Sequence, residues 1–583
     1  MKTDRNAKRK ILRKSYSRLA LVSMVVLVAT SVCGFVDNVV ISNYIGSKAL
    51  AAVGYFSPVS PITGLVFVLI IGAAILCGNY IGEGEQKKLR ALFKSVFLTI
   101  TAFCILFSIL LVALRNSISV ILGARGEAGT MLADYIVGFA PSIVFTSLSA
   151  FLIALSSFNN EINRSYYSTA IMFFGNIILD LLFAKNLGTF GIGLASTLSS
   201  FSSFLILLPA FINKSNTIYF EKGRFDFKEL FEAARRGMPS LLFTAGLLVK
   251  NSLINYTMIS YVGDDGIAVA NVLGSMCGIA GTVTGGCTNA ESTLLSLSYG
   301  EEDRDEFVDV FKIAFQIGIT CTFVLVALMM IFSSRLSGIF FTEQTNAYYL
   351  GKTMFIWGFW FFPINILINL LMNSYKVQGR MNLVNIMTFV ETAGTGIFAF
   401  LLVPRFGANA AWMANTWSDL VVAAIIVISV FVWRKKTSLS VSDLLKLPDD
   451  FGGKEDEFAE YSIGDMADVT ETSEAVMNFC RARNVEGKKA LWASLCIEEV
   501  TKNILQHGVI RGKQGQISVR IVCKDELTIR VFDDCRKFDP REHINMFDEK
   551  TPEKAIGLRM VSKLASCMDY YNNAGINALT LKF

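Results

Sequence analysis

Apolar residues recur along this chain in long blocks separated by short polar stretches. Twelve blocks are long enough to cross a hydrocarbon core of about 30 Å as helices: 17–37, 50–77, 93–114, 133–157, 166–185, 191–212, 239–262, 267–296, 308–332, 350–374, 382–403 and 408–433. Beyond residue 436 the pattern changes. A polar linker over 437–455 leads into 456–583, where shorter periods predict helices at 465–483, 487–507 and 555–566. Strands are predicted at 516–523, 527–532 and 579–583 from alternation such as Ile517, Val519, Ile521. The chain thus reads as an all-α polytopic membrane domain followed by an α/β sandwich with one layer of helices.

The membrane part repeats itself. Tyr44-Ile45-Gly46 is echoed by Tyr261-Val262-Gly263, and Gly82-Glu83 with Phe93-Lys94 and Phe97 by Gly300-Glu301 with Phe311-Lys312 and Phe315. Phe190-Gly191 is echoed by Phe406-Gly407, and these pairs lie about 217 residues apart. Two six-helix halves, 17–220 and 221–436, follow a basic segment at 1–16. Six spans per half make the repeat parallel, an arrangement that lets one half rock against the other around a central site.

Composition sharpens the class. Of 583 residues 53% are hydrophobic and 17% charged, too apolar for a soluble protein. About 40 of the charged residues fall in 451–583, where acids and bases nearly cancel, so the net charge of +6 belongs to the membrane part. Basic residues cluster in alternate loops, as in Lys87, Lys88, Arg90, then Lys222 to Arg236, then Arg434 to Lys436. That bias predicts cytoplasmic termini and a multi-pass protein of the cell membrane, and speaks for a lipid bilayer and against nucleic acid as partner. The basic start reads as a retained N-terminus, since no small-residue cleavage site follows it. Only His507 and His543 are present, both in the tail, which excludes a histidine site in the membrane. The eleven cysteines show no paired spacing and read as small core residues.

Several stretches together resemble the multidrug and toxic compound extrusion (MATE) transporters. They are Val36-Asp37-Asn38-Val39, Leu50-Ala51-Ala52-Val53-Gly54, Asn79-Tyr80-Ile81-Gly82, Asn176-Ile177-Ile178-Leu179-Asp180 and Gly191 to Thr197. The resemblance covers 15–435 and implies export of organic, often cationic, small molecules in exchange for Na⁺ or H⁺. It also places Asp37, Asn176, Asp180 and Thr197 in a cation site of the first half. The residues speak for themselves here too. A carboxylate within a span is costly and marks function by default, and Asn176 and Asp180, four apart, share a helix face. The alternatives are a headgroup-zone carboxylate at Asp37 and a structural hydrogen bond at Asp180. Counted at the register of the nearest echoed pair, Asp37 corresponds to Ile254, Asn176 to Thr392 and Asp180 to Gly396, so the site belongs to the first half alone. Lys250, Glu291, Glu391 and Asp419 also lie within spans, either as a structural pair involving Lys250 or as lining of the substrate cavity. Pro141, Pro209, Pro239 and Pro363 are expected to kink or break helices.

In the tail, Glu499, Asn503 and His507 recur at four-residue steps, a polar stripe on one helix face. With Asp533-Asp534-Cys535, Phe538-Asp539-Pro540 and Ile556-Gly557-Leu558-Arg559, it resembles the boxes of the GHKL (histidine kinase-like) ATPases, above all the anti-sigma-factor serine kinases. The resemblance implies ATP held by Asn503, Asp533 and Gly557, with Mg²⁺ at Asn503, adenine at Asp533 and Glu499 as general base. Two expected glycines are replaced, by Cys535 and Ala555. Three functions fit: a cation-coupled exporter with a regulatory tail, a membrane-anchored signalling protein whose tail is a serine kinase or docks a cytosolic protein, and a lipid-linked precursor flippase. The first six spans lack the basic residues a pyrophosphate-binding flippase cavity would call for.

Overall fold

The computed structural model describes residues 5–45, 49, 53, 56, 60–122, 124, 126–214, 216–221, 225–434, 440–449, 451–452, 457–508, 517–523, 526–541, 556–573 and 576–583. The first half contains α1 (Arg5–Tyr44), α2 (Ser60–Glu83), α3 (Gln86–Ala113), α4 (Glu127–Ser156) and α5 (Ile162–Leu207). The second contains α6 (Phe227–Tyr261), α7 (Asp264–Gly300), α8 (Arg304–Ile331), α9 (Asn346–Trp357), α10 (Phe362–Val377), α11 (Met381–Phe406) and α12 (Ala408–Arg434). Among the described residues eight helices are long and apolar enough to cross a membrane, or nine when α9 and α10, bent by 49°, count as one span. Pro363 opens α10 at that bend, where its missing N–H costs no hydrogen bond. α5 holds two of the predicted spans. It breaks at Gly188, with φ of 58°, and Ser168 Oγ meets Ser203 Oγ at 2.6 Å across the hairpin. With α1 and α7 at the first and eighth positions, the helices account for all twelve predicted spans.

The backbone itself records the repeat. Left-handed residues recur as Gly84 and Glu302, Gly126 and Gln344, Asn160 and Gly379, Gly188 and Gly407, each pair 218 or 219 positions apart. The short helices Arg115–Ile121 and Ser333–Phe340 obey the same offset. This corrects one echoed pair: the turn at Gly407 corresponds to Gly188, not Gly191. Asn176 then corresponds to Thr395 and Asp180 to Ala399, and the second half still offers no carboxylate at either place.

The halves meet at one end of α2 and α7. A Cβ added to Gly300 would lie 2.1 Å from the Asn79 carbonyl oxygen, one on Gly82 2.5 Å from that of Leu297, and one on Gly78 1.9 Å from Ser296 Oγ. These glycines let the two backbones touch. At the other ends of the same helices a Cβ at Gly64, Gly274, Gly278 or Gly281 would meet nothing within 4 Å. The described helices therefore touch backbone to backbone at the Gly82–Gly300 end, while these four glycines face open space.

The tail is a five-stranded antiparallel sheet in the order β1-β2-β3-β5-β4. Its strands are β1 (Phe458–Ile463), β2 (Ile517–Cys523), β3 (Leu527–Asp533), β4 (Cys567–Asn573) and β5 (Ile576–Lys582). α13 (Met466–Ala482), α14 (Gly487–Asn503) and α15 (Ile556–Leu564) supply its helices. Val519, Val531, Leu579 and Tyr570 share one buried cluster with Val476 and Ile497 of the helices. β1 and β4 were not expected from the sequence. They are the two edge strands, and their other face carries Glu460 and Asp569 instead of an apolar alternation.

That other face is covered by the membrane part. Glu460, Arg520, Arg530, Thr580 and Asp569 stand in one row across the sheet, with Phe532, Ala578 and Tyr571 in the next. The apolar trio joins the buried cluster that holds Ile81 and Leu297. Arg520, 1% exposed, pairs with Asp303, 0% exposed, at 2.6 Å. Asp303 also caps α8 by accepting from the Glu306 N–H at 2.9 Å, and takes Lys8 of α1 at 2.8 Å. Burial alone would raise the Asp303 carboxyl, but Arg520 and Lys8 hold it below the usual carboxylate range. The segment read as a linker is strapped down as well: Tyr375 Oη donates to the Leu444 carbonyl at 2.6 Å and Gln378 Nε2 to that of Leu445 at 2.7 Å.

Gly300→Ala should destabilise the full chain. Alanine gains about 1 kcal/mol of helix propensity over glycine, but a methyl so close to a backbone oxygen forces a shift costing about 1–3 kcal/mol. Gly278→Ala, in open space, should keep the propensity gain. Thermal unfolding of both variants in detergent checks this, with Gly300→Ala expected below wild type and Gly278→Ala at or above it.

Candidate cation and nucleotide sites

The first-half site is built on the two arms of α5. Asn176 and Asp180 lie one turn apart on the first arm, at 4% and 0% exposure, and Asn176 Nδ2 donates to Asp180 Oδ2 at 3.4 Å. Thr197 lies on the second arm and donates its hydroxyl to the Gly138 carbonyl of α4 at 2.7 Å, which leaves its oxygen lone pairs as acceptors. Asp37 falls on α1, but its side chain lies outside the described residues. Asn176 and Asp180 are thus together, and Thr197 is buried on the facing arm of the same hairpin.

The second half carries a separate polar network. Lys250 Nζ donates to Asn415 Oδ1 at 2.8 Å, which also accepts from Thr395 Oγ1 at 3.1 Å. Glu391 Oε1 accepts from Asn365 Nδ2 at 2.7 Å and from Asn369 Nδ2 at 3.5 Å. Glu291 Oε2 accepts from Asn373 Nδ2 at 3.2 Å. Lys250 is therefore held by an amide, which speaks against the structural ion pair, one of its two readings. Glu391 is half-buried while Asp419 and Glu291 are buried, so of these carboxylates Glu391 is the least enclosed.

In the tail, a cavity of about 660 Å³ lies between α14, β3 and β5, lined by Asn503, His507, Asp533, Lys537, Tyr570 and Asn577. Its volume lies within the range of small-molecule sites. Asp533 is buried at its base and accepts from Asn577 Nδ2 at 2.7 Å and from the Cys535 N–H at 2.9 Å. Burial pushes the Asp533 carboxyl up to about 6, against the downward pull of Asn577 and Cys535. Tyr570 Oη donates to Asn577 Oδ1 at 2.7 Å, orienting that amide. Glu499 Oε1 accepts from Asn503 Nδ2 at 3.0 Å, and a Cβ on Gly557 would fall 1.8 Å from the same oxygen. Gly557 thereby leaves room for the Glu499 carboxylate.

The donor set fits the nucleotide that the boxes imply. A buried carboxylate can accept from an amino group, and the Asn503 side-chain oxygen suits a hard cation with phosphates. Cys535 does not break the pattern through its backbone, since it is absent from the described non-glycine residues with left-handed φ; Ala555 lies outside the described residues. Asn577 and Tyr570 were missed from sequence. Asn577 shares the helix-facing side of β5 with Leu579 and Leu581, and an amide on a buried face is a signal in itself.

Comparison with known proteins follows the same division. The MatE family model matches residues 23–185 and 239–402, one segment in each half, and the Histidine kinase-like ATPase domain model matches 464–583. A protein of Bacillus subtilis (strain 168) called "Probable multidrug resistance protein YoeA" is 23% identical over 362 residues, covering 58% of this chain and 75% of that protein. The crystal structure of a mutant of the Vibrio cholerae MATE transporter VcmN aligns with a TM-score of 0.66 at 14% identity over 75% of this chain and 99% of its own. A MOP superfamily transporter from Pyrococcus furiosus aligns at 0.64 and 20% identity, over 75% of this chain and all (100%) of its own. The twelve-span layout, the paired halves and these matches agree: the chain belongs to the MatE family, and carries a histidine kinase-like ATPase domain at its C-terminal end.

Proposed function

We propose that the protein is a cation-coupled antiporter of the cell membrane, exporting organic, mostly cationic, small molecules in exchange for Na⁺ or H⁺. The observation that carries this reading is the Asn176–Asp180 pair, a carboxylate and amide buried within a span. A buried carboxylate there is either protonated or neutralised by a metal cation, and exchange of one state for the other couples ion flow to movement of the halves. The half-buried Glu391 in the second half attracts a cationic substrate. The positive-inside bias supports a cytoplasmic position for both termini and the tail. A carrier whose halves touch at the tail end is then closed on the cytoplasmic side. The relative named as a probable multidrug resistance protein supports the substrate class.

The tail reads as a regulatory nucleotide-binding domain. Asp533 would accept the adenine amino group, Asn503 would hold Mg²⁺ against the phosphates, and Glu499 stands one turn from Asn503 where a general base would act. ATP supplies the phosphoryl group when bound; this chain's residues position it. A cytosolic protein docked on the helix side of the tail would complete the regulatory reading.

Two outcomes follow. Asp180→Asn should reduce efflux of a fluorescent cation from cells on the order of tenfold or more, because a neutral amide cannot exchange a proton or cation. Glu499→Ala should leave that efflux unchanged; loss of efflux in Glu499→Ala alone would contradict the division of labour. Nucleotide binding should depend on pH through Asp533, raised to about 6. The ionised carboxylate is the stronger acceptor for the amino group, so binding is strongest above that value and weakens as pH falls through it. Fluorescent ADP should bind the full chain about tenfold more weakly at pH 5 than at pH 7.5, and Asp533→Asn should bind weakly at both.

A further inference from the structure

We propose that the tail is a latch that spans the seam between the two halves and holds their cytoplasmic ends together. The inference rests on the reading that the halves alternate access, and extends it to the regulation of that motion.

The tail grips both halves at once. On the second half Arg520 pairs with Asp303 at 2.6 Å, Arg530 donates to the Glu301 carbonyl and Tyr571 Oη to the Glu301 carboxylate. Arg304 donates back to the Pro448 carbonyl at 3.1 Å. On the first half Lys14 of α1 pairs with Asp534 at 3.3 Å and Lys537 Nζ donates to Asn216 Oδ1 at 3.3 Å. Gly84 lies so close to Asp569 that an added Cβ would sit 2.9 Å from its Oδ2. Lys8 ties all three bodies: carried by α1, it reaches Asp303 at 2.8 Å and Glu306 at 2.9 Å in the second half and Glu460 at 3.8 Å in the tail.

These contacts surround the Gly82–Gly300 crossing. Opening to the cytoplasm must part α2 from α7 there, and the first half then carries Lys8, Lys14 and Asn216 away from their partners. Asp303 and Arg520 are almost fully buried, and splitting such a pair leaves an uncompensated charge. Each outer anchor alone is weak, since its lysine is exposed, yet the tail closes the seam only while both sides hold. Lys537 lines the nucleotide cavity and Asp534 lies between its lining residues Asp533 and Cys535, so a ligand that moves that loop moves the first-half anchor.

Hydrogen–deuterium exchange on the full chain in lipid nanodiscs tests this directly, reading peptides over 78–84 and 296–303. Arg520→Ala should speed exchange there on the order of tenfold, and Arg520→Lys should retain most of the protection. Lys14→Ala with Lys537→Ala alters only exposed positions, leaves the sheet core intact and should speed exchange about twofold to fivefold. Wild-type exchange in that double variant would overturn the latch. So would faster exchange in Arg520→Ala alone, which would mark a local contact with the second half. The readout is independent of transport, so a failed latch leaves the transporter reading standing, and lost transport with an intact latch does the reverse.

Discussion

The backbone contact of α2 with α7 is the constraint on which the rest of the molecule depends. Helices normally pack 8–10 Å apart because side chains keep them apart. Here Gly78, Gly82 and Gly300 remove those side chains, and backbone oxygens and the Ser296 hydroxyl occupy the space. Gly82 and Gly300 are repeat-related, so the contact lies where the two halves face each other symmetrically. Fixing one end while the far glycines stay open gives the pair of halves a direction, which is what alternating access requires.

Symmetry ends at the loops that follow. Asp303 begins α8 and caps it, whereas the matching Glu85 begins α3 without a side-chain cap. One methylene less lets Asp303 reach its own helix and still offer an oxygen to Arg520 and Lys8. A buried site this rich in charge contributes specificity more than stability: it fixes which half the sheet sits on and in what register. The sheet face that would otherwise be exposed, with Arg520 and Arg530 in its middle, is matched by Glu301, Asp303 and Glu306. Two independent peculiarities, buried arginines on a sheet and an acidic loop in a basic membrane domain, explain each other.

Much of this was legible in the sequence, because the dominant signals are local. Span length, loop charge and the offset between halves need no tertiary information. The last echoed pair misled because one extra residue enters the second half between Gln344 and Gly379, turning an offset of 218 into 219, and a chance Phe-Gly identity hid it. β1 and β4 escaped because edge strands facing another domain need no apolar alternation. In the candidate sites, Asn176 with Asp180 and Glu499 with Asn503 were legible as four-residue steps on a helix. Tyr570 and Asn577 come near Asp533 only through strand pairing, and the amide partner of Lys250 lies 165 positions away. Such long-range partners have no periodic signature.

The central claim is that ion gradients, not ATP, drive movement through a membrane part that the tail regulates. It is tested by transport of a fluorescent organic cation in proteoliposomes under an imposed Na⁺ or pH gradient, with and without ATP on the tail side. The account predicts uphill movement that follows one of the two gradients, vanishes when that gradient is dissipated, and persists without ATP. Movement that requires ATP and ignores both gradients would contradict it.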